Sequence, residues 1–175
     1  MLNPVAADPS DFALDIESPS GELLPIDGQT LLQQLNRLVG TGHSLTLLRS
    51  ERAMTDCRPI SLFSLQTAQQ LGEEVGFVVD KRRFRANVYL DLGTAEGFFE
   101  NALVGHKIRI GSKVIIAALE RDPRCQMITL DPDTATPNPE VLRAVARGHK
   151  GTAGIYGAVL ADGIIRSGDT IEMLD

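Results

Sequence analysis

The segment I-R-I-G-S-K-V-I-I-A-A-L-E-R-D-P-R-C-Q-M-I-T-L-D-P-D, residues 108–133, decides the fold. Ile108 to Ile110 and Val114 to Leu119 are two short apolar runs split by Gly111-Ser112, which reads as strand, turn, strand. Met127, Ile128 and Leu130 form a further short apolar run, predicted as a strand and closed by the turn residues Asp131-Pro132-Asp133. Between them stands Cys125, directly after Pro123-Arg124. A thiol beside a rigid turn and a guanidinium is not the usual setting of a core cysteine. An adjacent cation favours the thiolate, the form that attacks electrophiles or binds a soft metal. The alternative is a semi-buried cysteine that only packs.

Working outward, the pattern repeats. Asp11 to Asp27 reads as a hairpin, with Phe12, Leu14 and Ile16 alternating and Ser18-Pro19-Ser20-Gly21 as the turn. Gly28 to Val39 is predicted as a helix with Thr30 as a candidate cap, and Ser44 to Leu48 as a strand. Ile60 to Phe63 is a short apolar stretch. Ser64 is a good N-cap for a helix reaching Val75, and Gly76 ends that helix. Phe84 to Leu92 alternates as a strand, and Asn101 to Gly105 reads as a helical turn. Pro139 to Gly148 is a helix with Pro near its start. Ile155 to Leu160, Ile164-Ile165 and Thr170 to Leu174 complete the set of strands. Many short strands and few helices do not alternate as βαβ units require. The expected class is therefore mainly β with peripheral helices (α+β), as a closed or nearly closed mixed β-barrel. A boundary is expected near residue 55, dividing residues 1–55 from a barrel domain at 56–175.

Composition narrows the function classes. The chain has 175 residues, 43% of them hydrophobic, and a net charge of -6. That charge argues against general nucleic-acid binding, which needs a basic face. No apolar run approaches the roughly 20 residues of a membrane-spanning helix. Met1 to Pro9 has neither the basic residues nor the apolar stretch of a signal peptide. Two cysteines, Cys57 and Cys125, form no CxxC pattern, and the expected compartment is a reducing cytoplasm. His43, His106 and His149 are isolated, without zinc-ligand spacing. No Ser-His-Asp order and no phosphate-binding glycine loop are visible.

Along the predicted strand at 84–92, Arg85, Asn87 and Tyr89 would share one face and Phe84 and Val88 the other. That face offers either an anion-recognising set or a plain solvated strand surface. Lys81-Arg82-Arg83 reads as a solvated loop. Ser61 and Ser64 flank a helix start, which either binds a phosphate or is simply capped by Ser64.

From about Cys57 onward the sequence resembles the MOSC domain, the C-terminal domain of molybdenum cofactor sulfurases. The resemblance rests on five segments in order: Pro59 to Leu65, Arg83-Phe84-Arg85-Ala86-Asn87, Asn101 to Gly105, Pro123-Arg124-Cys125 with Thr129 to Asp133, and Gly154-Ile155-Tyr156-Gly157 with Ile165 to Asp169. Ala86 stands where the family usually has proline, so the turn before Asn87 is less rigid. Residues 1–55 resemble a shortened N-terminal β subdomain of the longer members.

The resemblance implies a β-barrel and a role with molybdenum cofactor (molybdopterin). It makes Cys125 the catalytic thiol and metal ligand, or alternatively a persulfide sulfur carrier. Arg85, Asn87, Ser61, Ser64 and Arg124 become cofactor contacts; independently of the resemblance, the nearness of Arg121 and Arg124 to Cys125 suits them to stabilise its thiolate or an anionic substrate. The resemblance further implies a small N- or S-oxygenated substrate. The partner would be a redox protein or a cysteine desulfurase, since the chain has no flavin, haem or iron-sulfur signature. The family's association with pyridoxal phosphate finds no lysine motif here. A non-catalytic binding module is the third expectation.

Overall fold

The computed structural model describes residues 3–8, 11–48 and 58–174. The chain divides into two compact units, Met1–Glu51 and Arg52–Asp175. In the first, β1 (Asn3–Asp8), β2 (Asp11–Glu17) and β3 (Leu23–Pro25) form an antiparallel sheet in that order. The β2–β3 turn is the expected one: Gly21 donates to the Ser18 carbonyl at 2.9 Å and Glu22 N to Ser18 Oγ at 3.1 Å. Helix α1 (Gln29–Val39) starts at Gly28, without a side-chain cap from Thr30. Leu24 of the sheet and Leu31 of the helix are buried. Residues 44–48, expected as a strand, have no regular structure. Strand β1 has no counterpart in the sequence reading, and Cys57 lies outside the described residues.

The second unit is a six-stranded sheet curled into a half-barrel. Its strands are β4 (Ile60–Ser64), β5 (Val88–Leu90), β6 (Lys107–Ile110), β7 (Val114–Pro123), β8 (Thr152–Ala161) and β9 (Ile171–Leu174), and their order is β5-β4-β8-β7-β6-β9. Only β4 and β5 run parallel; the other pairs are antiparallel. The class is therefore mainly β with peripheral helices, and the barrel is nearly closed. Helices α2 (Leu65–Val75) and α3 (Glu140–Gly148) belong to this unit.

The two faces of the sheet bury different cores. Leu62, Leu90, Ile108, Ile110, Ile116 and Ile155 fill the inner face. Phe63, Leu71, Phe84, Ile128, Val141 and Val145 pack between the outer face and the helices. Neighbours in sequence, Leu62 and Phe63, thus point into opposite cores, as the two-residue repeat of a strand requires.

Three predicted strands give way to other structure. Lys81–Phe84 is a 3-10 turn, leaving only Val88–Leu90 of the predicted strand at 84–92. Gln126–Thr129 is also a 3-10 turn, closed by Thr129 Oγ1 on the Gln126 carbonyl at 2.8 Å. A four-residue apolar run cannot separate these conformations by periodicity. Ile164-Ile165 has no regular structure, and the turn expected at 101–105 is a 3-10 helix at Phe99–Leu103. Among the described residues, no helix is long and apolar enough to cross a membrane.

Candidate active site around Cys125

Strand β7 delivers Cys125. Its last residue, Pro123, pairs with Thr152 of β8, and the next backbone amide, Arg124 N, donates to the Gly151 carbonyl at 2.8 Å. The chain then leaves the sheet. Cys125, extended at φ -108°, precedes the 3-10 turn at 126–129 and carries a free, exposed thiol.

The facing wall comes from the 3-10 turn at 81–84. Asp80 caps it by accepting from Arg82 N at 2.8 Å. Arg85 then adopts the left-handed conformation, φ 52° and ψ 34°. That conformation costs a non-glycine residue roughly 1–2 kcal/mol. It also breaks the expected alternation, so Arg85, Asn87 and Tyr89 do not lie along one strand face. Arg85 and Asn87 still reach a common cavity with Cys125, of about 390 Å³, which Ser61, Arg83, Asp122, Arg124, Met127 and Tyr156 also line. Tyr89 does not line it. Its ring packs edge-on against Phe63 at 6.4 Å, and burial pushes its phenol upward, opposed by a hydrogen bond with the Ala86 backbone.

Ser61 and Asn87 form a closed pair. Ser61 N and Oγ both donate to Asn87 Oδ1, at 2.8 and 3.1 Å, and Asn87 N donates to the Ser61 carbonyl at 3.0 Å. The Asn87 oxygen is thereby committed, which leaves the NH2 of the amide as its offer to a ligand.

Two arginines clasp the walls together. Arg124 reaches across the cavity floor, where Nη1 donates to the Phe84 carbonyl at 2.9 Å and Nε to Ala153 O at 2.7 Å. Its Nη2 lies 2.6 Å from Asp122 Oδ2, and its guanidinium sits 5.4 Å from the Phe84 ring centroid. Burial pulls its pKa below the ordinary arginine value, with the Asp122 charge opposing. In the reverse direction, Arg83 Nη1 donates to the Thr129 carbonyl at 2.9 Å and Nη2 to Asp131 at 3.0 Å. Arg83 is not the solvated residue the sequence pattern predicts: its side chain is only 8% exposed. Arg82 reinforces the link from outside, with both Nη atoms on Asp133 at 2.8 and 2.7 Å.

Ser64 lies outside the cavity. It is fully buried, accepts from Thr67 N at 3.0 Å, and donates from Oγ to Glu100 Oε2 at 2.7 Å. Its place is the start of α2 and not a ligand surface. Sequence reasoning missed Arg83, Asp122 and Tyr156. The signal for Asp122 was its position two residues before Arg124. That for Tyr156 was the pair of glycines, Gly154 and Gly157, that flanks it closely.

Among the described residues, no group of three His, Cys, Asp or Glu side chains is placed to hold a metal ion.

The model of the MOSC domain matches residues 49–172. The chain belongs to the MOSC domain family. The crystal structure of YiiM from Geobacillus stearothermophilus shares the fold, with a TM-score of 0.52 and 17% sequence identity. The match covers 67% of this chain and 55% of YiiM, so the chain spans little more than half the length of that protein. No curated protein sequence matches the chain. Within the MOSC domain, Cys125, Arg124 and Arg83–Asn87 all fall in the matched region.

Proposed function

We propose that the chain binds molybdenum cofactor in the Cys125 cavity, with the Cys125 thiolate as the single protein ligand of molybdenum. The observation that carries this reading is the pairing of one exposed thiol with a cavity that Ser61, Arg85, Asn87 and Arg124 also line; among the described residues no group of three metal-ligating side chains competes with it. A soft, sulfur-rich centre suits one added thiolate, whereas a bare ion needs several protein donors. A volume of about 390 Å³ lies within the usual range of small-molecule sites. When bound, the cofactor supplies two-electron transfer at the metal.

The chain's own residues have separate tasks. Arg85 places an exposed guanidinium at the cavity for the anionic part of the cofactor or substrate. Asn87 offers its NH2, held in place by Ser61. Arg124 acts from below: it fixes the peptide before Cys125 and keeps positive charge beside the thiol. The substrate of this reading is a small N- or S-oxygenated compound, and the electrons come from a separate redox protein. In the same proposal, residues 1–55 correspond to part of the β subdomain that precedes the barrel in longer members.

The exposure of Cys125 favours one second reading, a persulfide carrier charged by a cysteine desulfurase. One experiment separates the two. The protein is purified from a host that makes molybdenum cofactor, and molybdenum, pterin and cyanide-releasable sulfur are measured for wild type and Cys125→Ala. Near-stoichiometric molybdenum that disappears in the variant supports the first reading. Sulfur on Cys125 without molybdenum supports the second, and neither signal leaves a non-catalytic binding module.

A further inference from the structure

The cavity brings Arg85 and Cys125 together, yet the two sit on separate irregular segments that no strand pairing joins. Arg85 follows a four-residue turn in a disfavoured conformation. Cys125 precedes another four-residue turn. Backbone pairing stops at their flanks, with Arg124 N on the Gly151 carbonyl and Asn87 N on the Ser61 carbonyl, so side chains must set the spacing of Arg85 and Cys125 themselves. Two side chains cross between the segments: one is Arg124, whose Nη1 reaches back from beside Cys125 to the Phe84 carbonyl, and the other, running from the first segment to the second, is Arg83. It lies two residues before Arg85 and binds the carbonyl of Thr129 and the carboxylate of Asp131, which close the turn after Cys125. Its Nε is buried without an acceptor, so the fork is held by the two bonds made through Nη1 and Nη2.

We propose that Arg83 is a positioning residue: its bridge to Thr129 and Asp131 holds the Arg85 guanidinium beside the Cys125 thiol, so that the site favours anionic reactants. This rests on the reading of Cys125 as a reactive thiol, but not on any cofactor being loaded. Arg83 itself is spent on the bridge, and the cation that reads the anion is Arg85. The fork geometry is essential here. A lysine keeps the charge but cannot serve a carbonyl and a carboxylate in one plane.

The test uses the full chain with Cys57→Ser, so that Cys125 is the sole thiol. Its alkylation rates by iodoacetate, an anion, and iodoacetamide, a neutral analogue, are compared. Both probes need the same thiolate, so their ratio cancels accessibility and ionisation and reports local charge. The ratio is expected to exceed that of the urea-unfolded chain by roughly threefold or more, and Arg85→Ala should remove most of the excess, leaving what Arg124, paired with Asp122, contributes. Arg83→Lys should lower the ratio towards the Arg85→Ala value although no charge is lost. Asp131→Asn gives a second variant should Arg83→Lys fail to fold. Removing a negative charge would by field alone raise the iodoacetate ratio, whereas loosening the bridge lowers it. A folded Arg83→Lys with the wild-type ratio, or a raised ratio in Asp131→Asn, overturns the positioning role alone. A wild-type ratio no higher than that of the unfolded chain overturns the charged-thiol site itself, and this inference with it.

Discussion

Gly154 shows how much of the site depends on one missing side chain. Between Thr152 and Ile155, β8 carries one residue more than the facing segment of β7, whose Pro123 and Arg121 are their partners. The extra residue makes a bulge, and Gly154 takes φ 81° within it. The bulge lets Ala153 face the helices while Ile155 enters the inner core. It also makes room for Arg124. A Cβ on Gly154 would lie 2.8 Å from the Leu62 carbonyl and 3.0 Å from Arg124 Nη2. Gly154→Ala is therefore expected to cost about 2–4 kcal/mol, from left-handed strain and overpacking together. Gly151→Ala, at φ 74° but with open space around it, should cost only about 1 kcal/mol. Urea unfolding of the two variants checks the difference, and equal losses would show that the Arg124 contact is not what Gly154 protects.

At the scale of elements, the start of α2 separates a buried capping serine, Ser64, from Ser61, which lines the cavity. Ser64 caps the helix and, with Thr67, donates to the fully buried Glu100 carboxylate. Ser64→Ala removes a cap and leaves a buried carboxylate short of a donor, a loss of roughly 2–4 kcal/mol. Molybdenum content in the folded fraction should stay unchanged, because Ser64 does not line the cavity. Loss of metal without loss of stability would return Ser64 to the binding set. The cap itself was legible, since a serine before an amphipathic run has a local physical meaning. So were α3 and the strands β6 to β8. Arg83 was not legible. Lys81-Arg82-Arg83 looks like a solvated triplet, and only the distant Thr129 and Asp131 make one member a buried bridge. The strand predicted at 84–92 failed for a related reason: the capping of the 81–84 turn by Asp80, with Arg85 in the left-handed region, outweighs a weak alternation.

Across the barrel unit as a whole, the link between the two cavity walls carries a pH dependence. Hydrogen bonding by Arg82 holds Asp133 and Asp80 below the usual carboxylate value. Backbone donation from Thr134 and Asp133 does the same for Asp131. A depressed folded pKa contributes stability above the unfolded value of about 4, and that stability disappears as pH falls through the folded values. Thermal midpoints should therefore be flat from neutrality to about pH 5 and drop below about pH 4. Arg82→Met should show a shallower acid limb, whereas identical limbs would remove Arg82 from this account. The pairs are exposed, so the effect is modest and weakens with salt. Strand β4 sets a different kind of limit. Ile60 and Leu62 serve the inner core, while Phe63 serves the outer one and Ser61 lines the cavity. A side chain there can be exchanged for one of similar size. A single inserted or deleted residue, however, would exchange the two cores and carry Ser61 away from Asn87. Over descent, this short strand can change its letters but not its length.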